Sequence, residues 1–235
     1  MNYTSWPLGN IPKENQRTEL DILKQKGYDI SDPRDAISLF ERTIADFAGS
    51  KYAVSVDCCT HGLFLCLKYL NACGTITIPS RTYLSVPMQI LHSGCDVEFR
   101  DMKWKTRYQL EPYPIWDCAI DFTEGMYQGG LEVLSFQIKK TLPIGKGGMI
   151  LTDDKDAYEW LKKSSYDGRT LEERYDTDRI ENIGWHFYMT PEDAARGLLL
   201  FEKTPKKNKP SVQNPIEHYS DLSDENLYPC FRKKL

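Results

Sequence analysis

Two kinds of hydrophobic pattern alternate along the chain. Short apolar runs predict buried strands at 51–57, 74–79, 95–99, 115–120, 131–136 and 149–152. Segments in which apolar residues return every three or four positions predict helices at 33–48, 60–70, 82–92 and 158–165. Because strands and helices take turns, the pattern predicts an α/β fold with a mostly parallel sheet.

The pattern weakens in three places. Residues 1–30 are polar and irregular, which predicts an N-terminal arm before an α/β domain at 31–203. Residues 204–235 begin with a basic, proline-rich stretch and are predicted to form a C-terminal extension. Proline and aromatic residues between 101 and 115 predict a loop.

Composition narrows the classes of protein. With 235 residues, 40% of them hydrophobic, the chain can bury the core of one domain. A net charge of -4 argues against a nucleic-acid surface, and no apolar run is long enough to span a membrane. The start has no signal-peptide pattern, and seven cysteines without a Cys-x-x-Cys pair predict reduced thiols in a cytoplasmic protein. Four scattered histidines predict no metal site.

The stretch 134–149 carries the candidate chemistry. Ser135 lies at the end of a predicted strand, the pair Lys139 and Lys140 follows, and the glycine-rich turn 145–148 leads into another strand. A lysine amine between buried strands is the nucleophile that a Schiff base with a carbonyl group requires. The alternative is a solvated lysine pair on a loop. The glycine turn completes neither a phosphate-loop nor a dinucleotide fingerprint, so ATP and NAD are not supported.

Three further residues could share a site with this lysine. Thr60 lies where a strand gives way to a helix, so it belongs either to a phosphate site or to a plain helix cap. Asp121 ends a predicted strand at the sheet edge where α/β folds bind ligands, or is a turn residue. Tyr83 offers a ring for stacking, or packs in the core. An amine, a carboxylate, a phosphate site and an aromatic ring are what pyridoxal phosphate needs.

Short motifs that follow one another in a fixed order carry a family resemblance. They lie at 40–41, 48–54, 57–60, 79–83, 120–124, 135–140, 145–148 and 184–190. Through them the chain resembles the DegT/DnrJ/StrS sugar aminotransferases, pyridoxal-phosphate enzymes of the aspartate-aminotransferase fold. The resemblance implies a three-layer sandwich around a mostly parallel sheet, the large domain of a pyridoxal-phosphate-dependent transferase in shortened form.

The resemblance also implies the roles of individual residues. Its serine-phenylalanine-x-x-x-lysine motif selects Lys140 as the Schiff-base lysine, and Asp121 takes the position of the acid at the pyridine nitrogen. The two are the implied catalytic residues, and both bind the cofactor. The other implied cofactor-binding residues are Cys59, Thr60, Tyr83, Glu124, Ser135 and His186. Thr60, Ser135 and the backbone after Cys59 would hold the phosphate, and His186 would come from a partner subunit.

Some residues depart from the family pattern. Cys59 replaces a glycine, Lys146 replaces a glutamate and His186 replaces an asparagine. The stretch between Phe99 and Asp121 is too short for the usual extra strand and helix, and after residue 203 little corresponds to the family's C-terminal domain.

The implied function is transfer of an amino group from an amino-acid donor, glutamate, to a nucleotide-linked keto-sugar. The expected assembly is a homodimer with a shared active site, without nucleic-acid or membrane partners. Three alternatives stay open: another pyridoxal-phosphate reaction such as dehydration or decarboxylation, a shortened relative that binds without turnover, and a plain structural domain.

Overall fold

The computed structural model describes residues 17–170, 173–174, 176–204 and 215–231. Within these ranges the helices are α1 (Glu19–Gln25), α2 (Asp35–Ala48), α3 (Cys59–Tyr69), α4 (Ser85–His92), α5 (Lys155–Ser165) and α6 (Pro191–Phe201). The strands are β1 (Tyr52–Val56), β2 (Thr75–Pro79), β3 (Asp96–Arg100), β4 (Tyr108–Gln109), β5 (Ile115–Asp117), β6 (Leu131–Ser135) and β7 (Gly148–Thr152). Short 3₁₀ turns lie at Pro215–His218 and Pro229–Phe231. Most of the predicted arm, 1–16, and the basic stretch 205–214 lie outside the described residues.

Every predicted strand and helix is present, and the described residues also contain two α-helices, one strand and two 3₁₀ turns that were not predicted. The expectation of an irregular segment up to residue 30 is wrong for its described part, because α1 buries Leu23 completely against the core. Helix α6 begins at Pro191, and the preceding residue, Thr190, caps it with a hydroxyl that accepts the Asp193 N–H. Strand β4 lies inside the predicted loop. The division into arm, domain and extension stays a prediction.

The sheet is mixed rather than mostly parallel. The strand order in the larger sheet is β1-β7-β6-β5-β4, and β2 and β3 form a second, parallel pair. Strand β7 runs antiparallel to both its neighbours, and β4 runs antiparallel to β5. Two parallel neighbouring strands must be joined by a long crossover connection, usually a helix, but the connection from Ser135 to Gly148 contains no helix. Strand β7 therefore runs antiparallel to β6. The expectation of a mostly parallel sheet is corrected, and the α/β class is confirmed.

Helices cover both faces of the larger sheet. Successive residues of β6 point to opposite faces, so Val133 and Leu134 enter two different hydrophobic clusters. The cluster of Leu134 is shared with α1, α2 and α6, whereas the cluster of Val133 is shared with α3, α4 and α5. The three-layer arrangement is thereby confirmed. Gly49 ends α2 with a φ of 87°, a conformation that glycine adopts without strain.

The layers bring several chain segments to one edge of the sheet. Strands β1, β5 and β6 end at this edge, and β7 begins there because it runs in the opposite direction. Ligand sites in α/β folds form at such edges. No helix of the described part of the chain is both long and apolar enough to cross a membrane.

Candidate active site

A cavity of about 580 Å³ opens at this edge. It is lined from α3, the loop after β2, the end of β5 and the connection from β6 to β7. Five of the predicted site residues line it together: Cys59, Thr60, Tyr83, Ser135 and Lys140. The structure therefore joins the predicted amine, phosphate site and aromatic ring in one place.

Asp121 does not line this cavity, which corrects the expected acid. Its carboxylate faces the Arg107 guanidinium at 3.8 Å, and Arg107 also bonds Glu132 at 2.9 Å. Strand β5 ends at Asp117 instead of Ile120, so Asp117 is the aspartate at the carboxyl end of the strand. Asp117 lines the cavity and is 6% exposed. The segment 115–121 contains both aspartates. Because the strand ends at Asp117, the rule that a ligand-binding acid lies at the carboxyl end of a strand selects Asp117 and not Asp121.

Two buried lining residues, Thr82 and Asp117, form the cavity floor, and the buried Tyr108, which does not line the cavity itself, is hydrogen-bonded to both. The Tyr108 hydroxyl donates to Asp117 Oδ2 at 2.6 Å, and the Ala119 N–H donates to Asp117 Oδ1 at 2.9 Å. Burial raises the pKa of Asp117, while the Tyr108 bond, the Ala119 N–H and the charge of Lys140 act against that rise. The floor therefore holds a carboxylate whose bonded partners are neutral.

The start of α3 forms one side of the cavity. The N–H groups of a first helical turn have no partner within the helix, and the helix dipole favours an anion there. The Thr60 hydroxyl shares a 2.7 Å hydrogen bond with Ser85. A Cβ added at Gly148 would lie 2.5 Å from the Cys59 nitrogen, so glycine lets β7 approach this turn closely. The close packing fixes the turn that carries the predicted phosphate site.

Aromatic side chains form the outer wall. Tyr83 is 60% exposed, and Trp104 stacks against Tyr219 with ring centroids 6.1 Å apart. Trp104, His218 and Tyr219 line the cavity but were not predicted, because they lie in segments without strand or helix periodicity.

The segment that carries Tyr219 is attached to the loop after β2. The Leu222 N–H donates to the Ser80 carbonyl at 2.8 Å, and Leu222 is buried. Arg81 donates to the Tyr219 carbonyl at 3.1 Å and faces Asp221 at 3.6 Å. These contacts make the described C-terminal segment part of the cavity wall.

Lys146 lines the cavity, and together with Asp57 and His61, which lie next to it without lining the cavity, it forms a polar cluster that we call the rim. Asp57 is bonded to His61 Nδ1 at 2.7 Å and to Lys146 Nζ at 3.1 Å. The bond to Asp57 raises the pKa of His61 to about 9. Burial alone would raise the pKa of Asp57, but the bonds and charges of His61 and Lys146 outweigh it and lower that pKa.

The rim also gathers a possible metal-ligand set. Asp57, Cys58 and His61 offer ligand atoms within 4.8 Å of one another. A metal would compete with the Lys146 cation for Asp57 and with a proton for His61, and it would lie at the positive end of a helix. These charges oppose a cation at the rim.

Two other predicted residues lie away from the cavity. Glu124 is exposed, and His186 is bonded to Asp167 at 2.8 Å with 70% of its side chain exposed. Glu124 is thus not brought to the cavity of its own chain. The expected role of His186 concerned a partner subunit's site and stays a prediction.

Comparisons with known proteins agree on one family. The family model of the DegT/DnrJ/EryC1/StrS aminotransferases matches residues 12–118 and 125–222. The spore coat polysaccharide biosynthesis protein SpsC of Bacillus subtilis (strain 168) is 25% identical over 250 aligned positions. That match covers 84% of this chain and 63% of SpsC, so the chain spans less than two thirds of this curated relative.

Solved structures show the same fold. AtS13 from Actinomadura melliaura superposes with a TM-score of 0.71 at 18% identity, covering 93% of this chain and 87% of AtS13. DesI, crystallised in the presence of its TDP-sugar product, superposes with a TM-score of 0.64 at 19% identity, covering 80% of this chain and 57% of DesI.

Proposed function

The chain belongs to the DegT/DnrJ/EryC1/StrS aminotransferase family, and from this premise we propose that it is a pyridoxal-phosphate-dependent aminotransferase. The proposed reaction moves the amino group of an amino acid, glutamate, to a nucleotide-linked keto-sugar. The observation that carries the proposal is one cavity lined by Lys140, Asp117 and the start of α3. The TDP-sugar product of DesI supports the choice of a nucleotide-linked sugar.

The floor suits a cationic ring nitrogen. Each Asp117 oxygen accepts one described hydrogen bond, and a carboxylate has about four acceptor positions. Among the described residues, no lysine, arginine or histidine nitrogen lies within 4.0 Å of that carboxylate. A protonated ring nitrogen would supply the positive partner that stabilises a buried carboxylate. We therefore assign to Asp117 the role that the resemblance gave to Asp121.

Lys140 is the residue proposed to carry the reaction. When bound, pyridoxal phosphate supplies an aldehyde that combines with amines and a ring that accepts electrons. Lys140 would hold this aldehyde covalently through its Nζ, which the amine of the donor amino acid would displace. The freed Nζ would accept the proton from the donor's α-carbon and return it, as general base and then general acid. Asp117 keeps the proton on the ring nitrogen.

The remaining lining residues are proposed to bind and orient. The N–H groups at Cys59 and Thr60, with the hydroxyls of Thr60 and Ser135, would hold the phosphate. The exposed Tyr83 ring would pack on the cofactor ring and exclude water from it. Trp104 and Tyr219 offer aromatic faces to the sugar.

A second copy of the chain is the proposed partner. Tyr83 is 60% and Ile138 is 67% exposed; Tyr83 lines the cavity, and so do the residues on either side of Ile138. Large apolar side chains in such a position suit burial against another protein. We propose a homodimer with a shared site, to be measured as a molar mass by light scattering. A cytoplasmic location stays a prediction from the cysteine composition.

Release of 2-oxoglutarate tests catalysis. Protein supplied with pyridoxal phosphate and glutamate, without a sugar, should release about one equivalent per cavity, because the acceptor is needed for further turnover. The control is Lys140→Ala, which lacks the amine and should release none. Wild-type protein that binds the cofactor but releases no oxo acid from glutamate or any other amino acid would favour a binding protein over an enzyme.

A further inference from the structure

Tyr108 is a buried polar residue to which the proposed reaction gives no role. It is 5% exposed, and its hydroxyl lies between Thr82 Oγ1 at 2.5 Å and Asp117 Oδ2 at 2.6 Å. A carboxylate only accepts hydrogen bonds, so Tyr108 donates to Asp117. The Thr82 hydroxyl then donates to the Tyr108 oxygen. The three side chains form one directed chain of hydrogen bonds.

We propose that Tyr108 is a positioning residue whose hydroxyl orients the Asp117 carboxylate and keeps it ionised for the ring nitrogen of pyridoxal phosphate. The inference rests on the proposed function. It assigns Tyr108 a role through Asp117 and no contact with the cofactor.

The backbone fixes the position of the hydroxyl. Strand β4 pairs with β5 in a register that sets Tyr108 opposite Asp117, so the two side chains are cross-strand neighbours. The Trp104 ring packs against the Tyr108 ring with centroids 4.9 Å apart. The third member, Thr82, directly precedes Tyr83, the ring proposed to cover the cofactor. The chain of hydrogen bonds thus connects Asp117 to the backbone neighbour of Tyr83.

Charge explains why the hydroxyl matters. Burial disfavours the ionised form of Asp117 and raises its pKa. Of the interactions that act against this rise, the Tyr108 hydrogen bond is the largest. Hydrogen bonds to ionised groups are stronger than those between neutral groups. Loss of the hydroxyl should therefore raise the pKa of Asp117 further. The titratable groups that interact with Asp117 are Tyr108, Lys140, Cys59, Cys118 and Tyr219.

Tyr113 provides a matched control. It follows β4 in the same segment, and its hydroxyl bonds the Cys73 backbone, accepting from the N–H at 2.8 Å and donating to the carbonyl at 3.0 Å. It does not line the cavity. Tyr113→Phe therefore removes a bonded tyrosine hydroxyl without touching the floor.

The first test uses the protein without cofactor. Carbon-13 NMR of labelled aspartate carboxyls follows the titration of Asp117, and Asp117→Asn identifies its resonance. In Tyr108→Phe the midpoint should rise by about one pH unit, whereas Tyr113→Phe should match the wild type. Equal midpoints in wild type and Tyr108→Phe would overturn the proposal. If Tyr108→Phe does not fold, Thr82→Val takes its place. This variant keeps the hydrogen bond from Tyr108 to Asp117 but removes the hydroxyl that donates to Tyr108, which makes Tyr108 a weaker donor. The midpoint of Asp117 should then rise by a smaller amount.

The second test measures binding of pyridoxal phosphate as a function of pH. Near neutral pH, Tyr108→Phe should bind about tenfold more weakly than wild type and Tyr113→Phe. Affinity should fall as the pH drops through the pKa of Asp117, so the variant should lose affinity at a higher pH than wild type. Wild-type protein that binds no cofactor would refute the proposed function. Wild type and Tyr108→Phe with equal affinities and equal pH profiles would refute the role of Tyr108 alone.

Discussion

The floor and the rim of the cavity each contain one aspartate, but the two are stabilised differently. On the floor, Asp117 is 6% exposed and accepts bonds from a neutral hydroxyl and a neutral amide. On the rim, Asp57 is bonded to the imidazole of His61 and the ammonium of Lys146. Burial raises the pKa of Asp117, whereas the bonded cations lower the pKa of Asp57.

The contrast assigns the two carboxylates to different tasks. The charge of Asp57 is already balanced by its neighbours, so this residue stabilises the rim. The carboxylate of Asp117 is buried and hydrogen-bonded to neutral donors, so a cationic partner would stabilise its charge more than it would that of Asp57. A protonated ring nitrogen therefore fits the floor and not the rim.

The largest effect is expected from removing the floor charge. Asp117→Asn should weaken binding of pyridoxal phosphate at least about a hundredfold, because breaking a buried ion pair costs about 3 kcal/mol or more. The control Asp121→Asn, outside the cavity, should change affinity less than about threefold. Titration of the cofactor into each variant, followed by its absorbance, measures both. A larger loss in Asp121→Asn than in Asp117→Asn would restore the original assignment of Asp121.

A smaller effect is expected where β7 meets the start of α3. The added Cβ of Gly148→Ala would lie 2.5 Å from the Cys59 nitrogen, so the variant should lose about 1–3 kcal/mol of unfolding free energy. It should also bind the cofactor more weakly, because the proposed phosphate turn must shift. Urea unfolding and cofactor titration measure the two effects.

Gly27→Ala is the control for this variant. Its added Cβ meets nothing within 4 Å but strains a backbone with a φ of 89°, so it should lower stability and leave cofactor affinity unchanged. Equal cofactor affinities in Gly148→Ala and wild type would show that this packing does not set the phosphate site.

The smallest effect concerns the pH dependence of the rim. The pKa of His61 is raised from its ordinary value near 6.5 to about 9, so the stability it contributes is complete below about pH 6.5 and lost as the pH rises to about 9. Asp57→Asn should remove this contribution to the pH dependence of the unfolding free energy. The effect is small because the rim side chains are partly exposed and screened by solvent. Urea unfolding at both ends of this pH range, with Asp121→Asn as control, measures it; an unchanged slope in Asp57→Asn would contradict the pairing.

The sequence predicted the site unevenly, for physical reasons. The spacing between Ser135 and the lysine pair is a local property that survives folding, and the structure brings Ser135, Lys139 and Lys140 to the cavity. The choice of Lys140 over Lys139 comes from the family motif and stays a prediction. Asp121 was expected at a strand end because hydrophobicity alone extends the strand to Ile120, whereas the chain turns after Asp117, with the Asp121 N–H bonded to the Cys118 carbonyl.

Other site residues left no local signal. Tyr108 belongs to a two-residue strand that exists only through pairing with β5, and pairing between distant segments cannot be seen in local periodicity. Tyr219 reaches the cavity through contacts with a loop more than a hundred residues earlier in the chain. Six of the strands (β1, β2, β3, β5, β6 and β7) and four of the helices (α2 to α5) were predictable because burial imposes their periods directly.

The most direct test of the proposed cofactor bond is chemical trapping at the lysine pair. Wild-type protein mixed with pyridoxal phosphate is reduced with borohydride, digested, and its peptides are analysed by mass spectrometry. We expect the pyridoxyl group on Lys140 in wild type and in Lys139→Ala, and no specific label in Lys140→Ala. A label on Lys139 or Lys146 instead, or no label in the wild type, would contradict the account.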